Sequence, residues 1–280
     1  MQIDSALRAA IAANVQAALA EDVGAGDISA ALIDPARRAR ARVITRQPGI
    51  FCGTPWVEET LAALGGTVTA VFAVAEGAEV SAGTTLFTLE GPASTLLTAE
   101  RTLLNFVQLL SGTATATRSY VDLLAGTRTR LLDTRKTIPG LRLAQKYAVR
   151  CGGGTNHRLG LYDAFLIKEN HIAAAGSITA AVAAARAYRA GSPIEVEVET
   201  LAQLDEAMAA GADIAMLDNF SLADTNTAVA QAAGRIRLEA SGGIDADSIV
   251  AIARTGVDYI SLGIITKQVL PLDLSMRFID

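Results

Sequence analysis

Between Arg135 and Lys168 the sequence places seven lysines or arginines (Arg135, Lys136, Arg142, Lys146, Arg150, Arg158 and Lys168) against a single acid, Asp163. The local charge is +6 in a chain of net charge −5, so the remaining residues sum to −11, the difference between the two. A cluster of one sign inside a chain of the other focuses field where an anionic ligand must bind. Arg142, Lys146 and Arg150 follow Gly140 at helical spacing and are expected on a solvated helix face. Arg135, Lys136, Arg158 and Lys168 instead stand at the ends of apolar runs or beside the GGG triplet of GGGTNHR, where the backbone turns and ligands approach. His157, directly before Arg158, is expected to contact the ligand rather than serve as a structural histidine.

The acids form a second group. In EVEVE, Glu195, Glu197 and Glu199 share one face of a strand because side chains alternate with period two. Three carboxylates on one face repel unless cations or a metal answer them. The next apolar run, IAMLDN, ends in Asp218 and Asn219, so at least one glutamate can meet Asp218. Hard oxygen donors supplied singly by neighbouring strands suit Mg²⁺ bound to a substrate's phosphates. ASGGI and SLGIITK add Ser241, Gly242, Gly243 and Gly263, whose exposed backbone N–H groups could hold an anion.

These residues need a scaffold that gathers strand ends. From about residue 113, apolar runs of strand length recur at LLDT, AFLIK, IEVEVE, IAMLDN, IRLEAS and YISLG, mostly with alanine-rich helical segments between them. That rhythm predicts parallel strands with helical crossovers, an open α/β sheet or a β/α barrel. The polar residues fall at or just after the carboxyl ends of those strands, which meet at one mouth in a barrel. The preceding part predicts an amino-terminal α/β domain. It reads as an amphipathic helix, a turn at GAGDIS, a strand from RARARVITRQPGIFCG ending at Gly53, a helix from Pro55 to Leu64, a strand TVTAVFAV, a hairpin in VAEGAEVSAGTTLFTLEG, and a helix from Ser94 through Leu110 that carries Arg101 and Asn105. The hairpin resembles those of lipoyl and biotinyl carriers but lacks their lysine. The expected boundaries are 1–112 for the first domain, 113–270 for the barrel, and 271–280 as a tail packing back on the first domain.

With 280 residues, of which 51% are hydrophobic, the chain is long enough for one large domain or two moderate ones. No run approaches a membrane span, and the alanine-rich start reads as a helix rather than a signal peptide, which predicts a cytoplasmic protein. The acidic balance predicts no nucleic-acid partner. Cys52 and Cys151 lie far apart without metal-ligand spacing, so neither a disulfide nor a zinc site is expected, and Cys151 reads as a small buried residue rather than a nucleophile.

Taken in order, TRKTIPGLR, KYAVRCGGGTNHRLGLYDAFLIKENHI, EVEVE, MLDNF and ASGGI resemble the quinolinate phosphoribosyltransferase family. The resemblance runs from EDVGAGDIS to LDLSMRF and so covers essentially the whole chain. It implies an amino-terminal α/β sandwich domain and an incomplete β/α barrel. It also implies a soluble enzyme, usually a homodimer with shared active sites, which makes nicotinate mononucleotide, pyrophosphate and CO₂ from quinolinate and phosphoribosyl pyrophosphate with Mg²⁺. The residues it implies for the substrate site are Thr134, Arg135, Lys136, His157, Arg158 and Lys168, with Arg101 from the helix outside the barrel. Glu197 and Asp218 are the implied acidic pair and metal ligands, and Ser241, Gly242, Gly243 and Gly263 the phosphate loops. Lys136, Lys168, Glu197 and Asp218 are the implied catalytic residues. Two other readings remain: a paralogue of the same fold acting on another acceptor, of the type associated with molybdenum transport, and a non-catalytic regulator that binds a phosphorylated metabolite. The second has no use for the acidic pair, whose presence favours an enzyme.

Overall fold

A computed structural model of the chain describes residues 2–279. The described residues group into two compact units: one contains residues up to Arg118, Thr137–Gly153 and the run from Ile264 onward, and the other Ser119–Lys136 and Gly154–Gly263.

The strands of the first unit are β1 (Arg38–Thr45), β2 (Gly49–Ile50), β3 (Thr69–Phe72), β4 (Glu79–Val80) and β5 (Thr85–Pro92). Its helices are α1 (Ser5–Asp22), α2 (Thr54–Ala63), α3 (Ala93–Leu123, whose end passes into the second unit) and α4 (Arg142–Cys151). RARARVIT forms a half-buried strand because its arginines alternate with Ala39, Ala41 and Val43, which are buried. The carboxyl-terminal strand β12 (Leu274–Phe278) pairs antiparallel with β1, which pairs with β5, which pairs with β3, giving the sheet order β12-β1-β5-β3. One core cluster gathers Phe51, Phe87 and Leu89 with Leu96, Leu103 and Val107 of α3. Another joins Leu7, Ile11 and Val15 of α1 to Trp56, Phe106, Ala144 and Tyr147. The Trp56 and Tyr147 rings stand 5.5 Å apart by centroid.

Several local expectations change. The long first strand ends at Thr45, and β2 is a separate short strand. The segment expected to be a hairpin does not pair with itself: β4 pairs with β2, and β5 with β1 and β3. The predicted helix after Ser94 runs on to Leu123, since TATATRSY offers no proline or capping glycine to stop it. Residues 137–153, placed with the barrel by sequence order, fold with the first unit because α4 buries Ala144, Tyr147 and Ala148 beside α1. Lys146, expected on a solvated helix face, is 1% exposed, whereas Arg150 is exposed.

The second unit is a six-stranded parallel sheet. Its strands are β6 (Arg130–Leu132), β7 (Phe165–Ile167), β8 (Ile194–Val198), β9 (Ile214–Asp218), β10 (Arg237–Ser241) and β11 (Tyr259–Ser261), in the order β6-β11-β10-β9-β8-β7. The six apolar runs recognised in the sequence are these six strands. Its helices are α5 (Glu169–Ala175), α6 (Ile178–Tyr188), α7 (Leu201–Ala209), α8 (Leu222–Ala232) and α9 (Ile249–Arg254), with α10 (Ile264–Lys267) following in the first unit. Side chains of Ser177, Thr200 and Ser221 cap α6, α7 and α8 by accepting from first-turn amides, so these helices start where a short polar residue follows the strand or loop. Thr155 bridges to Leu132, beside the β6 edge, yet His157 two residues later bonds Glu195 of β8 at 2.7 Å. In a flat sheet those positions would lie four or more strand spacings apart, roughly 19 Å. The sheet therefore curls into an incomplete barrel, with the segment after Gly154 in the gap between its edge strands.

Candidate active site

The carboxyl ends of the curled strands surround a cavity of about 370 Å³, within the usual range for a small-molecule site. Thr134, Arg135 and Lys136 reach it from the end of β6, and His157 and Arg158 from the segment in the gap. Lys168, Glu197, Asp218, Ser241 and Gly242 reach it from the ends of β7 to β10. Arg101, Gly243 and Gly263 do not line it. Gly263 has another use: a Cβ there would stand 2.9 Å from Lys136 Cδ, so its absence makes room for the lysine stem. Arg101 is an exposed residue of α3.

Each functional side chain is set by a local device. The Lys136 amide donates to Thr134 Oγ1 at 3.0 Å. At the end of β7 the Lys168 amide donates to His171 Nδ1 at 3.0 Å, which explains the histidine of KENH: it ties down the strand-to-helix junction that carries Lys168. Lys168 Nζ forms an ion pair with Glu197. Asn219 adopts a left-handed conformation at φ 55° and donates from Nδ2 to Asp218 at 3.0 Å. A side chain at Gly242 would clash with the Asn219 amide, its Cβ only 2.2 Å from Oδ1, so glycine at this position is a steric requirement of the mouth.

Two guanidinium groups, Arg135 and Arg158, share one wall. Burial and the neighbouring Arg135 charge lower the Arg158 pKa from its usual value. The Nε atoms of both are buried without a hydrogen-bond partner. Buried donors of this kind cost free energy unless a ligand answers them. Opposite in sign is the acidic pair. The Glu197 carboxyl is pushed up, chiefly by burial and then by the Asp218 and Glu169 charges, while Lys168 pulls it down. A wider groove of about 720 Å³ adjoins the cavity and shares Arg135, Arg158 and Lys168 with it.

His157 lines the cavity, but not as a ligand contact through its nitrogens. The Arg158 amide donates to Nδ1 at 2.8 Å and Nε2 meets Glu195 at 2.7 Å, so both ring nitrogens are engaged inside the protein. With Nδ1 accepting, the ring proton sits on Nε2 and is donated to Glu195. His157 thus fixes the turn that aims Arg158. The glycine triplet is likewise structural in part: a Cβ at Gly152 would lie 2.4 Å from the Ala114 carbonyl oxygen, and Gly153 has φ +92°. Glu199 lies beyond β8 and is exposed.

Sequence reasoning missed the layer beneath the site. Asp133 is fully buried and accepts from the His157 amide and Asn156 Nδ2, at 2.8 and 2.6 Å. Glu239 of β10 is fully buried, 3.5 Å from His157 Nε2. Burial, followed by the Glu195 charge, raises its pKa well above 4.5. The signal for it was available: an acid in the middle of the apolar run IRLEAS has no solvent to face. The folded chain keeps a proton on Glu239 that the unfolded chain releases above 4.5, so this residue makes stability fall as pH rises past that point. Glu239→Gln mimics the protonated acid and removes that slope. Urea unfolding across a pH series should show the variant gaining on the wild type by up to about 1.4 kcal/mol per pH unit wherever only the folded state holds the proton. Parallel stability curves would show that Glu239 is ionised in the fold.

Comparison with known proteins covers nearly the whole chain. The family model for the quinolinate phosphoribosyl transferase C-terminal domain matches residues 113–277, and that for the N-terminal domain residues 27–111. The nicotinate-nucleotide pyrophosphorylase [carboxylating] of Mycobacterium leprae is 42% identical over 271 residues, covering 94% of this chain and 95% of its own. The quinolinate phosphoribosyltransferase [decarboxylating] 1 of Nicotiana glauca is 36% identical, covering 94% of this chain and 81% of its own. The structure of the nicotinate-nucleotide pyrophosphorylase from Francisella tularensis superposes with a TM-score of 0.95 at 49% identity, over 99% of this chain and 98% of that one. The chain belongs to the quinolinate phosphoribosyltransferase family.

Proposed function

We propose that the protein joins quinolinate to phosphoribosyl pyrophosphate, giving nicotinate mononucleotide, pyrophosphate and CO₂. The observation that carries this reading is the pair of guanidinium groups, Arg135 and Arg158, with unanswered buried Nε donors in the same cavity as the Glu197 and Asp218 carboxylates. Guanidinium forks bind planar carboxylates bidentately, and a dicarboxylate supplies two. Lys136 and Lys168 offer point charges to phosphates, and the backbone around Ser241 and Gly242 offers N–H groups. The pyridine nitrogen lone pair forms the bond to the anomeric carbon as the bond to pyrophosphate breaks, and the cationic ribosyl character that develops is stabilised by Glu197 or Asp218. Loss of CO₂ from the carbon beside the nitrogen leaves an electron pair there that takes up a proton. The nucleophilic nitrogen is already unprotonated, so the first step rests on positioning and charge rather than on a general base.

The donor set suits Mg²⁺. Glu197 and Asp218 are oxygen donors on adjacent strands, close enough for the Asp218 charge to act on Glu197, and they would hold the ion together with substrate phosphates and water. Such an ion, when bound, would neutralise charge building on the departing pyrophosphate. The deciding assay supplies quinolinate, phosphoribosyl pyrophosphate and Mg²⁺ and measures nicotinate mononucleotide and CO₂ in equal amounts. Product from another acceptor but none from quinolinate would support the paralogue reading instead, and binding without turnover the regulator. No described helix is long and apolar enough to cross a membrane, and we read the enzyme as cytoplasmic.

The same reading includes a two-fold homodimer whose active sites are shared. Leu161, Tyr162 and Tyr188 are 74%, 67% and 84% exposed. Leu161 and Tyr188 line the groove next to Arg135 and Arg158, an apolar surface of the kind a second copy covers. Arg101, exposed on α3 and absent from the cavity wall, is then available to the partner's site. Arg101→Ala and Lys168→Ala should each be nearly inactive alone. Mixed after subunit exchange, about half the dimers carry one of each chain and rebuild one site of two, so activity should return to roughly a quarter of wild type. Exchange verified by mass without recovered activity would rule out the shared site.

A further inference from the structure

The first unit holds a cluster of two thiols and a carboxylate that the phosphoribosyl site does not use. Cys52 lies just past β2, Cys151 ends α4, and Glu76 stands in the turn before β4. The two cysteines are 0% and 4% exposed, and neither is in a disulfide. One donor atom from each of the three residues lies within 4.8 Å of the other two. Cys151 Sγ is 3.9 Å from Glu76 Oε1. No spacing rule anticipates this cluster, since the cysteines are far apart in the chain and meet only because α4 packs beside the β2–α2 junction.

The cluster is held from several sides. The Cys52 amide donates to Ser111 Oγ of α3 at 2.9 Å, and that hydroxyl donates back to the Cys52 carbonyl at 3.1 Å. Glu76 accepts from the amides of Gly53 and Thr54 at 2.7 and 3.0 Å, which fixes its carboxylate at the first turn of α2. Gly77 runs against Cys151, where an added Cβ would come 3.3 Å from the Cys151 carbonyl oxygen. Two sulfurs and a carboxylate are thereby brought together on three separate elements, in apolar surroundings that include Trp56 and Tyr147.

We propose that Cys52, Glu76 and Cys151 form a metal site for Zn²⁺ or another borderline-soft divalent ion, with two thiolates and one carboxylate oxygen as protein ligands. Thiolates select zinc-class ions over Mg²⁺, and an N/O/S donor set of three leaves one tetrahedral position for water. Binding releases the two thiol protons to solvent. The three ligand charges and the cation then leave one negative charge, facing the Gly53 and Thr54 amides at the start of α2. The competing chemistry, a disulfide between the same sulfurs, needs a thiolate first. Full burial of Cys52 keeps oxidants and thiols in solvent away from its sulfur, which opposes that route.

The test is a titration of the reduced, full-length protein with Co²⁺ under anaerobic conditions, followed by Zn²⁺. Expected are thiolate-to-cobalt charge-transfer bands that saturate at one ion per chain and disappear as Zn²⁺ displaces Co²⁺. Cys52→Ser and Cys151→Ser should each lose the bands, Glu76→Gln should weaken binding by at least the roughly 10–100-fold that loss of an outer-sphere partner costs, and Asp218→Asn in the other unit should leave the bands unchanged. X-ray absorption of the zinc-loaded wild type needs no variant and should show two sulfur neighbours at about 2.3 Å. Absence of the bands from folded wild type, bands that survive Cys52→Ser, an oxygen-only zinc sphere, or isolation of the protein with Cys52 and Cys151 joined would each overturn the proposal.

Discussion

Arg158→Ala should raise the KM for quinolinate by about 100-fold and leave the KM for phosphoribosyl pyrophosphate within about threefold. The guanidinium donates from Nη1 to the Ala164 carbonyl at 3.3 Å, presents a buried Nε without a partner and is held by the turn that His157 anchors, so Nε is left for the ligand to answer. A charge-assisted bidentate contact of this kind is worth about 3 kcal/mol in a partly dry pocket, hence the expected factor. The same logic sets acceptor choice. Nicotinate has a single carboxylate and leaves one of the clustered cations unanswered, at a cost of several kcal/mol for a desolvated charge. Wild type should therefore strongly prefer quinolinate, and Arg158→Ala should narrow the preference by selective loss on the diacid. Equal catalytic efficiency of wild type on nicotinate and quinolinate would sink this account of the cluster, as would a variant that loses affinity for both substrates alike.

Lys168→Ala should lower kcat by about 10²–10³-fold, with a smaller change in either KM, as for removal of one preorganised charge from a site that stabilises a transition state. Lys168 is the cation paired with Glu197, whose carboxylate is already disfavoured by burial and by Asp218. Without the lysine, Glu197 tends to take up a proton and no longer offers a full negative charge to the ribosyl cation. The side chain of Lys168 is 42% exposed, so its loss should change folding stability little. Steady-state kinetics with both substrates varied, alongside thermal melting, separate the effects. A wild-type kcat with a raised KM alone would make Lys168 a ground-state binding residue.

Strand alternation made much of this site legible in the sequence. Lys168, Glu197, Asp218 and Ser241 each end an apolar run, and parallel strands bring such ends to one place, so their meeting followed from order alone. The strands of the first unit were less legible because β2 and β4 are two residues each and pair across intervening segments, so the glycines and β-branched residues around β4 and β5 pointed to a local hairpin that does not form. The direction of His157 was hidden too. Its partners Glu195 and Glu239 lie 38 and 82 residues downstream, and only the curl of the sheet turns them toward the imidazole. The GGG triplet looked like a ligand loop, yet Gly152 is required by the Ala114 carbonyl, a neighbour that no spacing rule identifies.

The pairing of β1 with β12 also constrains how the chain can be made. Arg42 sits opposite Arg277 and Thr45 opposite Leu274, so the strand that covers this edge is synthesised 229 residues after β1 ends. At a ribosomal rate of about 5–20 residues per second, that edge stays open for roughly 10–45 s on every nascent chain. During that interval β1, β5 and β3 can assemble as a three-stranded sheet whose free N–H and C=O groups face any neighbouring polypeptide. Arg38, Arg40 and Arg42 keep one face of the waiting strand charged, a feature that discourages pairing with other chains until β12 emerges.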